Sequence, residues 1–270
     1  LEEVLADPDI DLVDLCTPTP MHAEQAVAAL KSGKHVFCEK PMARTSQEAR
    51  QILEVAQSAR GFLMPAMCMR FWPGWNWLKE MVAQKTYGAV RAARFRRVSE
   101  MPTWSKQGTY TAGSDLGGAL FDLHIHDTDF IQFVFGRPAS VYATGSYRPN
   151  GPVDHVVTQY HYPDGPVVHA EGNWLLKKGF NMAYTLYCEG ATIDYDLARG
   201  ENALQIAAEG KEPRFIPVAG DGYNEEVAYV IECALQGKRP EIVTAQDGLS
   251  ALEICEAEEK SIRTGAVVKL

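Results

Sequence analysis

Two short segments carry residues whose types and spacing could move protons. The first is Glu39-Lys40-Pro41; the second is Gly117-Gly-Ala-Leu-Phe-Asp122-Leu-His124-Ile-His126-Asp127-Thr-Asp129. A lysine in a partly desolvated cleft polarises a carbonyl or exchanges a proton, whereas on a surface Glu39-Lys40 would be an ordinary solvated pair. In the second segment a helix would stack Asp122 and His126 one turn apart on one face. A carboxylate beside an imidazole fixes its tautomer and raises its basicity, as a general base near neutral pH requires. A strand would instead put His124 and His126 on one face, and with Asp127 or Asp129 they would form a metal site. The apolar run continues to Phe135, long for a strand, so the helix is the better reading. A third grouping is aromatic: Trp104 and Tyr110 in a polar loop, with Asn173 and Trp174 in a strand. Aromatic faces beside polar groups suit the apolar face and hydroxyl rim of a sugar, which makes Trp104 a candidate substrate contact; plain packing accounts for each of them singly.

The elements around these segments follow from periodicity. Up to about Phe71, apolar strands alternate with amphipathic helices. Asp11 to Cys16 reads as a strand stopped by Thr17-Pro18-Thr19-Pro20. A helix from Met21 to Ser32 ends at Gly33, and Lys34 to Cys38 forms the next strand, placing Lys40 just past its C-terminal end. Thr45 or Ser46 caps a following helix, and Phe62 to Met67 is a third strand. Such alternation implies a parallel sheet with helices packed on it, and ligands in open α/β sheets bind at the C-terminal strand edges. Beyond Phe71 the pattern changes to a helix over Pro73–Gln84, a strand over Val90–Val98, a long Ser99–Gly118 loop and a helix to Phe135. Strands at hairpin spacing follow (Val153–Tyr162, Val167–Leu176, Ala183–Tyr195), then helices over Asn224–Gln236 and Ala245–Thr264. The fold class is therefore a Rossmann-like α/β sheet over residues 1–71 plus an α+β domain over 72–270 with a large, mainly antiparallel open sheet.

Composition excludes other classes. The chain has 270 residues, 46% hydrophobic and 23% charged, with a formal net charge of −9. That balance argues against nucleic acid, whose binding rests on clustered Lys and Arg. Six scattered cysteines form no CxxC pair, which fits a reducing cytoplasm better than a disulfide framework. No apolar stretch approaches the roughly 20 residues of a membrane span. A phosphate-cradling GxGxxG is absent; Gly220-Asp-Gly222 lacks the third glycine.

Taken together, Asp11-Leu-Val-Asp-Leu-Cys-Thr17-Pro18 with His22, Gly33-Lys-His-Val-Phe-Cys-Glu39-Lys40-Pro41, Arg70-Phe-Trp-Pro73, Gly117-Gly118 with Asp122 and His126, and Arg263-Thr-Gly265 resemble the glucose–fructose oxidoreductase/inositol dehydrogenase/MocA family. The resemblance runs over essentially the whole chain. It implies an NAD(P)-dependent oxidoreductase acting on a sugar, polyol or cyclitol. Lys40 would contact the reacting oxygen and help position the nicotinamide, His126 would be the acid/base, and Asp122 its partner and a substrate ligand. Thr17, Pro18, His22 and Glu39 would line the cofactor cleft beside Lys40. Arg70, in one of the matching segments, would join the substrate residues. No metal ion enters this scheme.

One departure is His124, where the family carries a small residue. The chain also starts partway into the implied fold. The first strand, its glycine-rich turn and the acidic residue that reads the ribose are expected in a longer parent protein, and this portion alone is expected to bind cofactor poorly. NAD and NADP are both open. A homodimer or homotetramer through the open sheet is expected, because a large apolar face is seldom left wet. Two other readings stand beside the oxidoreductase: a metal-dependent hydrolase using His124, His126 and Asp127, and a non-catalytic sugar-binding protein of the same fold.

Overall fold

The computed structural model describes residues 1–102, 117–149 and 151–270. Trp104, Tyr110 and most of the Ser99–Gly118 loop lie outside that set. A short helix α1 (Glu2–Ala6) leads into β1 (Leu12–Leu15), α2 (His22–Lys31), β2 (His35–Cys38), α3 (Ser46–Ser58) and β3 (Leu63–Pro65). The three strands form a parallel sheet in the order β1-β2-β3, with Leu15 opposite Cys38 and Cys38 opposite Pro65. Val13, Leu15, Val36 and Cys38 point to one face of this sheet and are buried in one core with Ala26, Ala29 and Leu30 of α2 and Ile52 of α3. Thr45 caps α3 reciprocally with Glu48: the hydroxyl accepts from the Glu48 N–H and the Glu48 carboxylate accepts from the Thr45 N–H.

The chain then passes through a tight turn at Cys68–Arg70, α4 (Leu78–Ala83) and β4 (Val90–Glu100). The helix expected from Pro73 is confined to its last turn and a half. Before it, the backbone winds through turns with Gly74 at φ +83°, and this sinks the Trp75 ring completely into the core. Residues 118–135 enter as a helix whose second turn, Leu120–His124, is a wide π turn continuing into α5 (Ile125–Phe135). Then come β5 (Ser140–Tyr147), β6 (Val153–His161), β7 (Val167–Leu176), β8 (Phe180–Cys188), β9 (Ala191–Asp196), β10 (Leu204–Ala208), β11 (Arg214–Ile216), α6 (Gly222–Gln236), α7 (Ala245–Thr264) and β12 (Val268–Lys269). The strand read from Ala183 to Tyr195 is two strands, β8 and β9, folded back at Glu189-Gly190.

Among the described residues the second sheet runs β11-β10-β9-β8-β4-β7-β6-β5-β12, antiparallel except for the β4–β7 pair. Its inner face carries Phe95, Tyr184 and Tyr195, which with Phe130 of α5 surround Trp75 edge to face or tilted, with ring centroids 4.9 to 6.0 Å from it. Offset and perpendicular pairs of this kind add to the hydrophobic term and hold a single packing. Helix α7 packs against α3 on one side and α5 and β5 on the other, so it ties the parallel sheet to the open one. The outer face of the open sheet leaves Tyr142, Val167 and Tyr187 exposed.

The junction into the π turn depends on Gly118. Its φ is +68°, and an added Cβ would lie 2.4 Å from the Val153 carbonyl oxygen, which belongs to backbone and cannot step aside. Gly118→Ala is expected to lower stability by roughly 2–4 kcal/mol, combining left-handed strain with overpacking, and urea unfolding of the two proteins measures it.

Candidate active site

The C-terminal ends of β1 to β3 form one wall of a cleft, where the strand carbonyls end and the connecting loops turn away. Thr17 and Glu39 are half-buried there and Pro18 is exposed. The Thr17 hydroxyl donates to Gln25 Oε1 at 2.6 Å, and Glu39 Oε2 accepts from the Lys40 backbone N–H at 3.2 Å. The Lys40 side chain leaves this wall and reaches the second half of the molecule. Its Nζ donates to Asp122 Oδ1 at 2.8 Å and to the Asp122 carbonyl oxygen at 2.6 Å. The side chains are 15% and 18% exposed, so the contact is shielded but open to a small ligand.

The opposite wall is the π turn and the start of α5. Lys40, Asp122 and His126 line one cavity of about 130 Å³ together with Arg97, Trp72, Met182 and Tyr223. Burial pushes the His126 imidazole well below the ordinary histidine range, and the Lys40 and Arg97 cations push it the same way. The ring is therefore neutral at neutral pH, with a nitrogen free to accept a proton. Its Nδ1 is buried and has no hydrogen-bond partner. Below the cavity Arg97 donates to both oxygens of Asp127, at 2.9 and 3.2 Å, so its charge is held in place.

The structure corrects several of the sequence expectations. Asp122 is hydrogen-bonded to Lys40, not to His126, because a carboxylate is held more strongly by an ammonium than by a neutral imidazole. Arg70 does not line this cavity. It is buried, its Nε and Nη2 are fixed to Asp129 at 2.9 and 2.6 Å, and its Nη1 donates to the Ile242 carbonyl. His22 stands behind the cleft, not on it: one ring nitrogen lies 2.9 Å from the Pro41 carbonyl oxygen and the other 2.7 Å from that of Thr17. It ties together the two loops that form the wall.

His124 turns away from the cavity, within 3.1 Å of the Tyr160 hydroxyl and against Gly172, where a Cβ would collide with its ring. His124, His126 and Asp127 thus diverge. Among the described residues no group of three or more His, Cys, Asp or Glu side chains could hold a metal ion, so the metal-hydrolase reading loses its support. The Asn173 amide donates to Glu171 Oε1 at 2.8 Å and its oxygen accepts from the Leu175 N–H at 3.1 Å, and Trp174 is buried. The sequence reading missed Arg97 and Tyr223. Arg97 follows the buried Phe95 at the two-residue period of an inward strand face, a signal that was present; Tyr223 arrives from a helix about 100 residues beyond His126 and had none.

Fold and site together define an oxidoreductase of the dinucleotide-binding class. Residues 1–67 match the oxidoreductase family with an NAD-binding Rossmann fold, and residues 75–194 match the GFO/IDH/MocA C-terminal domain. Trans-1,2-dihydrobenzene-1,2-diol dehydrogenase of Mus musculus is 30% identical over 277 residues, 97% of this chain and 80% of the mouse protein. Myo-inositol 2-dehydrogenase of Thermotoga maritima is 27% identical over 280 residues, 99% of this chain and 82% of that protein. The structure of a levoglucosan dehydrogenase in complex with NADH and levoglucosan superposes with a TM-score of 0.85 at 24% identity, over 99% of this chain and 82% of its own, and so shares the fold. The chain belongs to the GFO/IDH/MocA oxidoreductase family.

Removing the Arg70 guanidinium leaves Asp129 as an unpaired buried charge. Arg70→Met is expected to lower stability by roughly 3–5 kcal/mol in urea unfolding. A substrate-binding arginine would instead raise KM and leave the unfolding midpoint in place.

Proposed function

We propose that the protein transfers a hydride between a nicotinamide cofactor and a hydroxyl-bearing carbon of a sugar, polyol or cyclitol. The observation that carries this reading is the Lys40–Asp122 clasp beside a neutral His126, all three in one cavity next to the strand ends. The relatives' names point the same way, to a cyclic diol and an inositol. Residues 1–71 serve the cofactor and 72–270 the substrate, with Thr17, Pro18 and Glu39 on the cofactor side. A bound nicotinamide supplies the hydride acceptor in the oxidation direction, and either NAD or NADP meets that need.

The chain's own residues do the proton chemistry. An ammonium has three N–H donors, and Lys40 commits two of them to Asp122, leaving the third for a substrate oxygen. Its charge stabilises negative charge developing on that oxygen. His126, held neutral by its surroundings, takes the hydroxyl proton. Asp122 keeps Lys40 aimed. The exposed Tyr142, Val167 and Tyr187 face suits a homodimer or homotetramer joined through the open sheet, and the six free cysteines suit the cytoplasm.

The test follows absorbance at 340 nm with the full-length protein, NAD or NADP, and a panel of sugars and cyclitols. Reduction with one substrate supports the reading; binding of sugar with no reduction across the panel favours the non-catalytic protein. Lys40→Ala and His126→Ala are each expected to cut kcat by about 10²–10⁴-fold while leaving the fold intact. Wild-type rates in either variant would remove the role given to that residue.

The pH profile is a separate check. A base must be unprotonated to act, so lowering the His126 pKa keeps the enzyme active further into acid. The acid limb of kcat/KM is expected below the ordinary histidine range. A limb at or above that range would contradict the buried, neutral imidazole.

A further inference from the structure

One carboxyl at the cofactor side of the cleft is used by nothing described so far. Glu226 lies on α6 three residues after Tyr223, one turn further along the same helix face. The start of α6 is pressed against the Cys68–Trp72 turn: a Cβ at Gly222 would lie 2.6 Å from the Cys68 carbonyl oxygen, and the Trp72 and Tyr223 rings meet edge to face at 5.5 Å. This packing drives the Glu226 side chain inward until the residue is 2% exposed. Its Oε2 is wholly buried and has no hydrogen-bond partner. Among the described residues no lysine or arginine pairs with it.

The charges it does feel are alike. The carboxylates of Glu39, just past β2, and of Asp14, in β1, act on it through their charge, and the Cys68 thiol and Tyr223 phenol feel its charge in turn. Burial and these two carboxylates push Glu226 up to about 9, burial being the larger cause. At neutral pH the group is therefore a carboxylic acid, with one O–H to donate and one oxygen to accept. A buried donor without an acceptor is a defect in a folded protein unless a ligand completes it. Tyr223, one turn before Glu226 on α6, lines the Lys40 cavity beside the strand ends, where a dinucleotide binds in a sheet of this type. A carboxylic acid and a primary amide are complementary, since each gives one donor and takes one.

We propose that Glu226 recognises the cofactor: its carboxyl pairs with the carboxamide of the bound nicotinamide and so fixes the rotation of the ring. This rests on the dehydrogenase reading above. It also deepens it, because ring rotation decides which face of the nicotinamide is turned toward substrate. Glutamine at this position keeps one donor and one acceptor at every pH, whereas leucine keeps the bulk and loses both.

The experiment is calorimetric binding of the reduced cofactor that the full-length protein prefers, and of ADP-ribose (2′-phosphorylated if that cofactor is NADPH), to wild type, Glu226→Gln and Glu226→Leu. ADP-ribose carries every part of the cofactor except the nicotinamide. Glu226→Leu is expected to weaken the dinucleotide about tenfold, the size of one buried hydrogen-bond partner lost, and to leave ADP-ribose unchanged. Glu226→Gln is expected to bind within about twofold of wild type. Wild-type affinity for the dinucleotide should fall as pH rises through about 9, and the glutamine variant should not follow it.

Equal loss for both ligands in Glu226→Leu would make the residue structural and overturn the proposal. No loss for either would mean that water satisfies the acid, and would overturn it too. If the leucine variant does not fold, an identical pH dependence in wild type and Glu226→Gln overturns it by itself. A wild-type protein that binds neither ligand would instead defeat the dehydrogenase reading on which the proposal stands.

Discussion

The contact between Lys40 and Asp122 holds the site together, because it joins two elements 82 residues apart in the chain. Lys40 is presented by the end of a parallel strand and Asp122 by a wide helical turn. A charge in a partly dry cleft is tolerated only with a partner, so each fixes the position of the other. The same helical segment repeats the device below the cavity. Asp127 grips Arg97 from β4, and Asp129 grips Arg70 from the Cys68–Arg70 turn. Three carboxylates within eight residues thus bind cations from three different elements. Pairs like these are weak sources of net stability but costly to break, which makes them geometric constraints more than glue.

That arrangement explains the state of His126. The residue sits between Asp122 and Asp127, yet both of its acidic neighbours are already committed to cations. What remains for the imidazole is burial and the positive charges of Lys40 and Arg97, and both act against its protonation. A histidine with a free carboxylate beside it would be drawn toward the charged form. Here the ion pairs consume the carboxylates, and the base is left ready.

The platform under the site is apolar. Trp75 and the rings of Phe95, Phe130, Tyr184 and Tyr195 fill the space between the open sheet and α5. Helix α7 closes the structure by packing on both sheets' helices, and a buried group of His124, Thr128, Tyr160 and Glu258 lies between it and α5. His124 belongs to this buried group and not to the cavity. Its ring fits because Gly172 opposite has no side chain to meet it.

By itself the sequence determined the order and type of most of the elements. Local signals sufficed for that: prolines after β1, the Thr45–Glu48 capping box, glycines closing α2 and α7, and the hairpin spacing of β6 and β7. It also singled out Lys40, Asp122 and His126, since these residue types stand in compact, spaced motifs. Which of the chosen residues face the cavity was a different kind of fact. Arg70 looks like any ligand arginine until Asp129 and the Ile242 carbonyl are folded around it, and His22 like a cleft residue until two loop carbonyls enclose it. Glu226 and Tyr223 carry no local mark at all. Partnership and burial arise between segments far apart in the chain, and these decide a side chain's charge and direction, so only the tertiary structure could assign them.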